Sequence, residues 1–214
     1  LNLDPAVCRD HLFSILGRAR AAGNFVRIDM EDSAVTALTL TQYYAALEAG
    51  FDNVGIVLQA YLYRTETDLE EVLRRGGRVR LCKGAYREPA LVAFQTSEKV
   101  CENYDRLAEK LLRGGGPLLS ADGRFPPVPA IATHDPQRIE AAKREIERLG
   151  LPKEAVEFQM LYGMRRDLQE QLAAEGFPVR VYVPFGTHWF PYFMRRLGER
   201  PENVWFFLSN FFRR

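Results

Sequence analysis

Near the carboxyl end of the chain, Tyr192, Arg195, Arg196 and Glu199 fall at i, i+3, i+4 and i+7, one face of a helix if that stretch is helical. Two neighbouring guanidinium groups offer forked donors that match a carboxylate. Glu199, one turn on, can hold them and offset their mutual repulsion. The spacing fits a carboxylate clamp, and on its own it fits at least as well the plainer reading of an exposed helix face with ordinary ion pairs. A second group of chemically capable residues lies further back, each just where an apolar run stops. Asp29 ends one run and Gln59 follows the next. Lys83-Gly84-Ala85-Tyr86-Arg87 follows a third, Thr133-His134-Asp135 a fourth, and Tyr182 sits within the last. Taken singly, Asp135 reads as a helix cap and Gln59 as a loop-backbone partner. It is their shared position after successive runs that suggests one site.

The runs themselves are short and rich in apolar and β-branched residues. They lie at Phe25–Met30, Val54–Leu58, Val79–Cys82, Ala130–Ala132, Val156–Leu161 and Val179–Val183, and they read as strands covered on both faces. Amphipathic helices separate them. One starts behind Asp135 with Pro136 at its first turn and ends by Gly150, ahead of Pro152. Strand-then-helix repetition requires parallel pairing, in either a doubly wound sheet or a β/α barrel, and periodicity does not choose between them. In both, functional groups gather at the carboxyl ends of the strands, where the polar residues above are found.

The 214 residues, 47% hydrophobic and 27% charged, can bury one substantial core, so a single domain over residues 1–214 is expected. A formal net charge of +1 gives no field for drawing the chain onto nucleic acid. Cys8, Cys82 and Cys101 are odd in number and far apart, which fits reduced, packed thiols and no metal site. No apolar run reaches the roughly 18 residues of a spanning helix. The expected location is cytoplasmic. The stretch 114–129, from Gly114-Gly115-Gly116-Pro117 to Pro126-Pro127-Val128-Pro129, carries too many glycines and prolines for regular structure and reads as an inserted surface loop. Its glycines follow a helix instead of opening one, which argues against a phosphate loop. The chain starts with Leu1, and its first element is a helix capped by Asp4 with Pro5 in the first turn. A β/α frame that begins on α is out of phase. If the fold is an eight-fold barrel of about 250 residues, about two strands precede this sequence.

Read in order, Arg27-Ile28-Asp29-Met30-Glu31, Gly55-Ile56-Val57-Leu58-Gln59, Arg80-Leu81-Cys82-Lys83-Gly84-Ala85-Tyr86, Ala132-Thr133-His134-Asp135, Phe158-Gln159-Met160-Leu161-Tyr162-Gly163-Met164, Tyr182-Val183-Pro184 and Tyr192 through Glu199 resemble the successive signatures of proline dehydrogenases of the monofunctional bacterial type. The likeness spans nearly the whole chain. It implies a distorted parallel (β/α)8 TIM-type barrel with its first strands absent here, binding FAD without a dinucleotide fingerprint. No G-x-G-x-x-G occurs in the sequence.

The resemblance further implies oxidation of L-proline to 1-pyrroline-5-carboxylate with hydride transfer to FAD, the first step of proline catabolism. Gln59, Arg80, Lys83, Gly84, Ala85, Thr133 and His134, with Met30, are the implied FAD contacts. Asp29 and Arg80 form a polar pair near the reacting centre, together with Tyr182. Arg195 and Arg196 bind the substrate carboxylate, Glu199 orients them, and Tyr86, Tyr182 and Tyr192 shape the pocket. A lysine that the family contributes from an early strand has no counterpart here, and Phe185 stands where tyrosine is common. A quinone-type electron acceptor and a pyrroline-5-carboxylate dehydrogenase are the implied partners. The aromatic tail at 204–214, Val204 through Arg214, reads as a terminal helix docked on the barrel or as a peripheral contact with the inner face of the cell membrane. Two other functions compete: a Schiff-base aldolase using Lys83, and a non-catalytic barrel that serves as a binding module.

Overall fold

A computed structural model describes residues 4–187. The chain divides into two compact units, Leu1–Val181 and Tyr182–Arg214. The first holds helix α1 (Pro5–Ala21), strand β1 (Val26–Ile28), α2 (Ser33–Glu48), β2 (Val54–Gln59), α3 (Thr65–Arg74), β3 (Arg78–Cys82), α4 (Ser97–Gly114), β4 (Pro129–Ala132), α5 (Pro136–Arg148), β5 (Glu157–Leu161), α6 (Arg166–Ala174) and the start of β6 (Val179–Tyr182). Of the second unit only Tyr182 to Thr187 are described.

The helices begin where short polar side chains can satisfy free amides. Asp4 accepts from the amides of Ala6 and Val7, Asp32 from Ala34, Thr96 from Lys99 and Asp135 from Gln137. Pro5 and Pro136 occupy first-turn positions whose amide has no helical partner in any case.

The sheet has six strands in the order β1-β2-β3-β4-β5-β6, and the four neighbour pairs from β1 to β5 are parallel. A doubly wound sheet reverses its strand order at a switch point. This one follows the chain without reversal, so the described residues form a half-barrel of five consecutive β/α units and a sixth strand, and the choice that periodicity left open is resolved for the barrel.

The two faces of the sheet differ. Val54, Ile56, Leu58, Val79, Leu81, Ile131, Phe158 and Met160 are buried on the outer face, joined in one core with Leu40 and Tyr43 of α2, Leu69 and Val72 of α3, Leu107 and Leu111 of α4, and Ile139 and Ile146 of α5. The alternate residues face inward and are largely polar: Arg27, Gln59, Arg78, Arg80, Glu157, Gln159 and Arg180. The expectation of strands apolar on both faces is therefore corrected. The inner charges find partners in different ways: Arg27 and Arg78 donate to backbone carbonyls, and Arg80 pairs with Asp29. Arg180 forms a 2.8 Å ion pair with the almost fully buried Glu157, which also accepts from Gln159.

Residues 115–128 are irregular, as their composition predicts, and lie across the amino ends of the strands, whereas Gly114 still ends α4 and Pro129 opens β4. Arg78 donates to the carbonyl of Pro126 at 2.8 Å, Arg180 to that of Gly123 at 2.8 Å, and Phe125 packs edge-on against Phe25 with ring centroids 6.0 Å apart. The segment thus caps the end of the half-barrel opposite to the residues expected to do chemistry.

Candidate functional site

The carboxyl ends of β1 to β5 bring most of the expected residues to one rim. Asp29 and Met30 follow β1, Gln59 ends β2, Arg80 and Cys82 lie in β3 with Lys83 next, and Thr133 and His134 follow β4. Register explains the convergence: Val57 is level with Arg80, Gln59 with Cys82, and Ala132 with Gln159. Each βα loop therefore starts at a similar height.

At the centre, Arg80 Nη1 lies 3.1 Å from Asp29 Oδ1 across β2. Val57 between them is buried and apolar, so nothing on β2 competes for either charge. Arg80 is mostly buried and its Nε finds no acceptor among the described residues, whereas Asp29 is half exposed to the mouth. The guanidinium therefore has donor capacity left over, aimed at the inner face. Gln59 is similar: its side-chain amide reaches the Met30 carbonyl only at 3.5 Å, and its buried Oε1 has no donor among the described residues. Buried polar atoms are rarely left in this state.

The β3–α4 loop forms the second part. Gly84 has φ +105°, and a Cβ there would lie 2.2 Å from the ring of Tyr61. Only glycine lets the backbone lie flat on that ring. Lys83 Nζ, next to it, pairs with Asp135 at 2.7 Å and lies 3.1 Å from Cys101 Sγ. Asp135 also caps α5 through the Gln137 amide at 2.9 Å. Burial pushes the Asp135 carboxyl up, but Lys83 and the capped amide outweigh it, so the group stays below the usual aspartate range. The expected cap is thus also the ion-pair partner of a site lysine.

Ala85 is exposed on the rim, and the phenol of Tyr86 meets the carboxylate of Glu31 from the β1–α2 loop. Beyond β4, the Thr133 hydroxyl accepts from the Asp135 amide at 3.1 Å, and His134 Nε2 accepts from the Leu161 amide at 2.9 Å, tying this loop to the end of β5. Tyr182 closes β6 and belongs to the second unit, where it is partly exposed. Tyr192, Arg195, Arg196 and Glu199, like the aromatic tail, lie outside the described residues.

Sequence reasoning missed several groups here. Glu88 accepts from the Ser33 amide and hydroxyl and from the Tyr61 phenol. Cys101 touches Lys83 from α4. Neither contact has a periodic signature, since the partners are 55 and 18 residues apart. Asp135 alone carried a hint, through its place beside Thr133 and His134. All three cysteines are free, and burial pushes the Cys82 thiol up to about 11, so it is a packed thiol and not a nucleophile. Among the described residues no cluster suited to a metal ion occurs, and no helix is long and apolar enough to cross a membrane.

The family model for proline dehydrogenase matches residues 4–207. The chain is similar to the proline dehydrogenase of Deinococcus radiodurans, 43% identical over 193 residues that cover 90% of this chain and 59% of that protein. It is also similar to proline dehydrogenase 2 of Bacillus subtilis, 39% identical over 206 residues, 96% of this chain and 64% of the relative. The chain therefore spans about three-fifths of the length of these curated relatives. Among solved structures, proline utilization A from Bdellovibrio bacteriovorus inactivated by N-propargylglycine superposes with a TM-score of 0.78 at 31% identity, over 90% of this chain and 22% of that one. Proline utilization A from Bradyrhizobium japonicum gives 0.77 at 27% identity, over 90% and 21%.

Proposed function

This chain belongs to the proline dehydrogenase family, and on that premise we propose that it carries the flavin-binding rim of an enzyme oxidising L-proline to 1-pyrroline-5-carboxylate, the first step of proline catabolism. The observation carrying this reading is the Asp29–Arg80 pair at the strand ends, with unused donor capacity on Arg80, beside the glycine cradle of Lys83-Gly84-Ala85.

The residues present fit FAD. Gly84 leaves the β3–α4 loop without a side chain where a flat group could lie close to the backbone. Gln59 and Arg80 have buried polar atoms without a partner among the described residues, and Lys83 stands by the amino end of α5, where cation and helix dipole together suit a phosphate. Met30, Gln59, Arg80, Lys83, Gly84, Ala85, Thr133 and His134 would hold the cofactor. When bound, flavin supplies the two-electron acceptor that no amino-acid side chain provides.

The chain's own residues bind and orient. Arg195 and Arg196 fix the proline carboxylate, Glu199 holds them in place, and Tyr86, Tyr182 and Tyr192 enclose the ring. Asp29 fixes the guanidinium of Arg80, which stabilises negative charge that develops at the mouth. A quinone-type acceptor, a pyrroline-5-carboxylate dehydrogenase taking the product, and peripheral membrane contact through the aromatic tail belong to the same proposal.

Anaerobic titration of the flavin-loaded protein with L-proline tests it. Bleaching of the visible flavin bands is expected; a yellow protein that proline leaves unchanged, or one that takes up no flavin, contradicts it. The aldolase alternative needs Lys83 as a free amine. Its 2.7 Å pairing with Asp135 works against that, and borohydride trapping with a carbonyl substrate should yield no adduct at Lys83.

A further inference from the structure

Glu88 lies in the β3–α4 loop, outside the groups assigned above, yet three loops of the rim meet on its carboxylate. The amide of Ser33, the first residue of α2, donates to Oε1 at 2.7 Å, and the Ser33 hydroxyl donates to Oε2. From the β2–α3 connection, the Tyr61 phenol donates to Oε1 at 3.4 Å. Ser33 comes three residues after Met30, and the Tyr61 ring is the surface on which Gly84 rests.

Backbone bonds tie the same pieces together. The Tyr61 amide donates to the Lys83 carbonyl at 2.9 Å, the Phe94 amide to the Tyr61 carbonyl at 2.8 Å, and the Gln95 side chain to the Glu88 carbonyl at 3.2 Å. A carboxylate suits the place: it meets the positive end of the α2 dipole, beside the Asp32 cap. Burial, and then Glu88 itself, pushes the Tyr61 phenol up, so it remains a donor at neutral pH.

We propose that Glu88 is a positioning residue, a clamp that sets the distance between the loop carrying Asp29 and Met30 and the loop carrying Lys83 through Tyr86. This rests on the proposed function, because those two loops carry the groups assigned to flavin and proline. The clamp acts on ligand geometry: Glu88 orders the loops, and the loops hold the flavin. A purely structural role would lower the melting temperature and leave ligand affinity untouched.

The test compares flavin-loaded wild type with Glu88→Ala, Glu88→Gln and Ser33→Ala, with Glu170→Ala as control, since Glu170 forms an exposed pair with Arg166 on α6. FAD dissociation constants are read from flavin fluorescence, KM and kcat from proline oxidation, and melting temperatures from the flavin-free form. Glu88→Ala should raise the FAD dissociation constant about tenfold, the scale of one lost charge-assisted contact. Glu88→Gln, which keeps one carbonyl acceptor, and Ser33→Ala, which removes one donor, should each raise it about threefold. KM for proline should rise with it while kcat changes less, and the control should match wild type.

Flavin affinity and KM within about twofold of wild type in Glu88→Ala, with only a lower melting temperature, overturn the clamp. If Glu88→Ala does not fold, Glu88→Gln and Ser33→Ala decide by the same criterion. A wild type that binds no flavin overturns the proposed function and this inference with it. A wild type that binds flavin beside variants that bind it equally well overturns this inference alone.

Discussion

Gly84 is the residue on which the rim is least forgiving. Its φ of +105° excludes ordinary side chains, and a Cβ would meet the Tyr61 ring at 2.2 Å. Gly84→Ala should therefore cost about 1–3 kcal/mol of stability through strain and overpacking and lower flavin occupancy, which absorbance against protein concentration would show; full occupancy would mean that the cradle is not where flavin lies. Asp135 gives a pH-dependent expectation. Its folded carboxyl titrates below the usual aspartate range, so the group contributes stability above about pH 4 that disappears as pH falls through the folded value. Asn remains a good helix cap, so Asp135→Asn removes mainly the attraction to Lys83, at most about 1 kcal/mol for a pair this accessible. Urea unfolding should find the variant weaker at neutral pH and equal to wild type in strong acid; a gap that persists in acid would mean that charge is not the cause. Asp29, Gln59, Lys83, Thr133 and His134 could be grouped from sequence because each ends or follows an apolar run, a relation that one-dimensional sequence preserves, whereas Arg80 lies inside its run and was expected only from the family resemblance. Glu88 and Cys101 were not, because their partners come from other loops and helices and nothing local marks them.

At the scale of elements, all six strands were foreseen to within a few residues, as were the caps at Asp4 and Asp135. Two things were not legible. Strand order depends on crossovers, and alternation alone fits both barrel and doubly wound sheet. The polar inner face was hidden because short strands offer only two or three inward positions each, and a run such as Val-Arg-Leu reads as apolar with one exception. Arg27 shows what that face requires. Its Nη1 donates to the Arg78 carbonyl at 2.9 Å, its Nη2 has no acceptor among the described residues, and room for it exists because residue 55 is glycine. A Cβ on Gly55 would lie 2.4 Å from Arg27 Nη1 and 2.8 Å from the Arg78 carbonyl oxygen. Gly55→Ala should thus destabilise by about 1–3 kcal/mol through overpacking between β1 and β3, seen as a lower melting temperature. No change in melting would show that the inner face is looser than this packing implies.

For the whole molecule, the half-barrel separates two tasks by end. At the amino ends, segment 114–129 is held by Arg78, Arg180 and Phe25 and closes the polar interior. At the carboxyl ends the βα loops converge and present Asp29, Arg80, Lys83 and His134, with no comparable segment across them among the described residues. We propose that the single catalytic domain expected from the sequence acts through this second end. The most direct measurement is a crystal structure of the flavin-loaded protein. The account predicts the isoalloxazine against Arg80 at the ends of β1 to β3, with a phosphate oxygen within hydrogen-bonding reach of Lys83. Flavin bound at the 114–129 end, or on the outer helical layer, would contradict it.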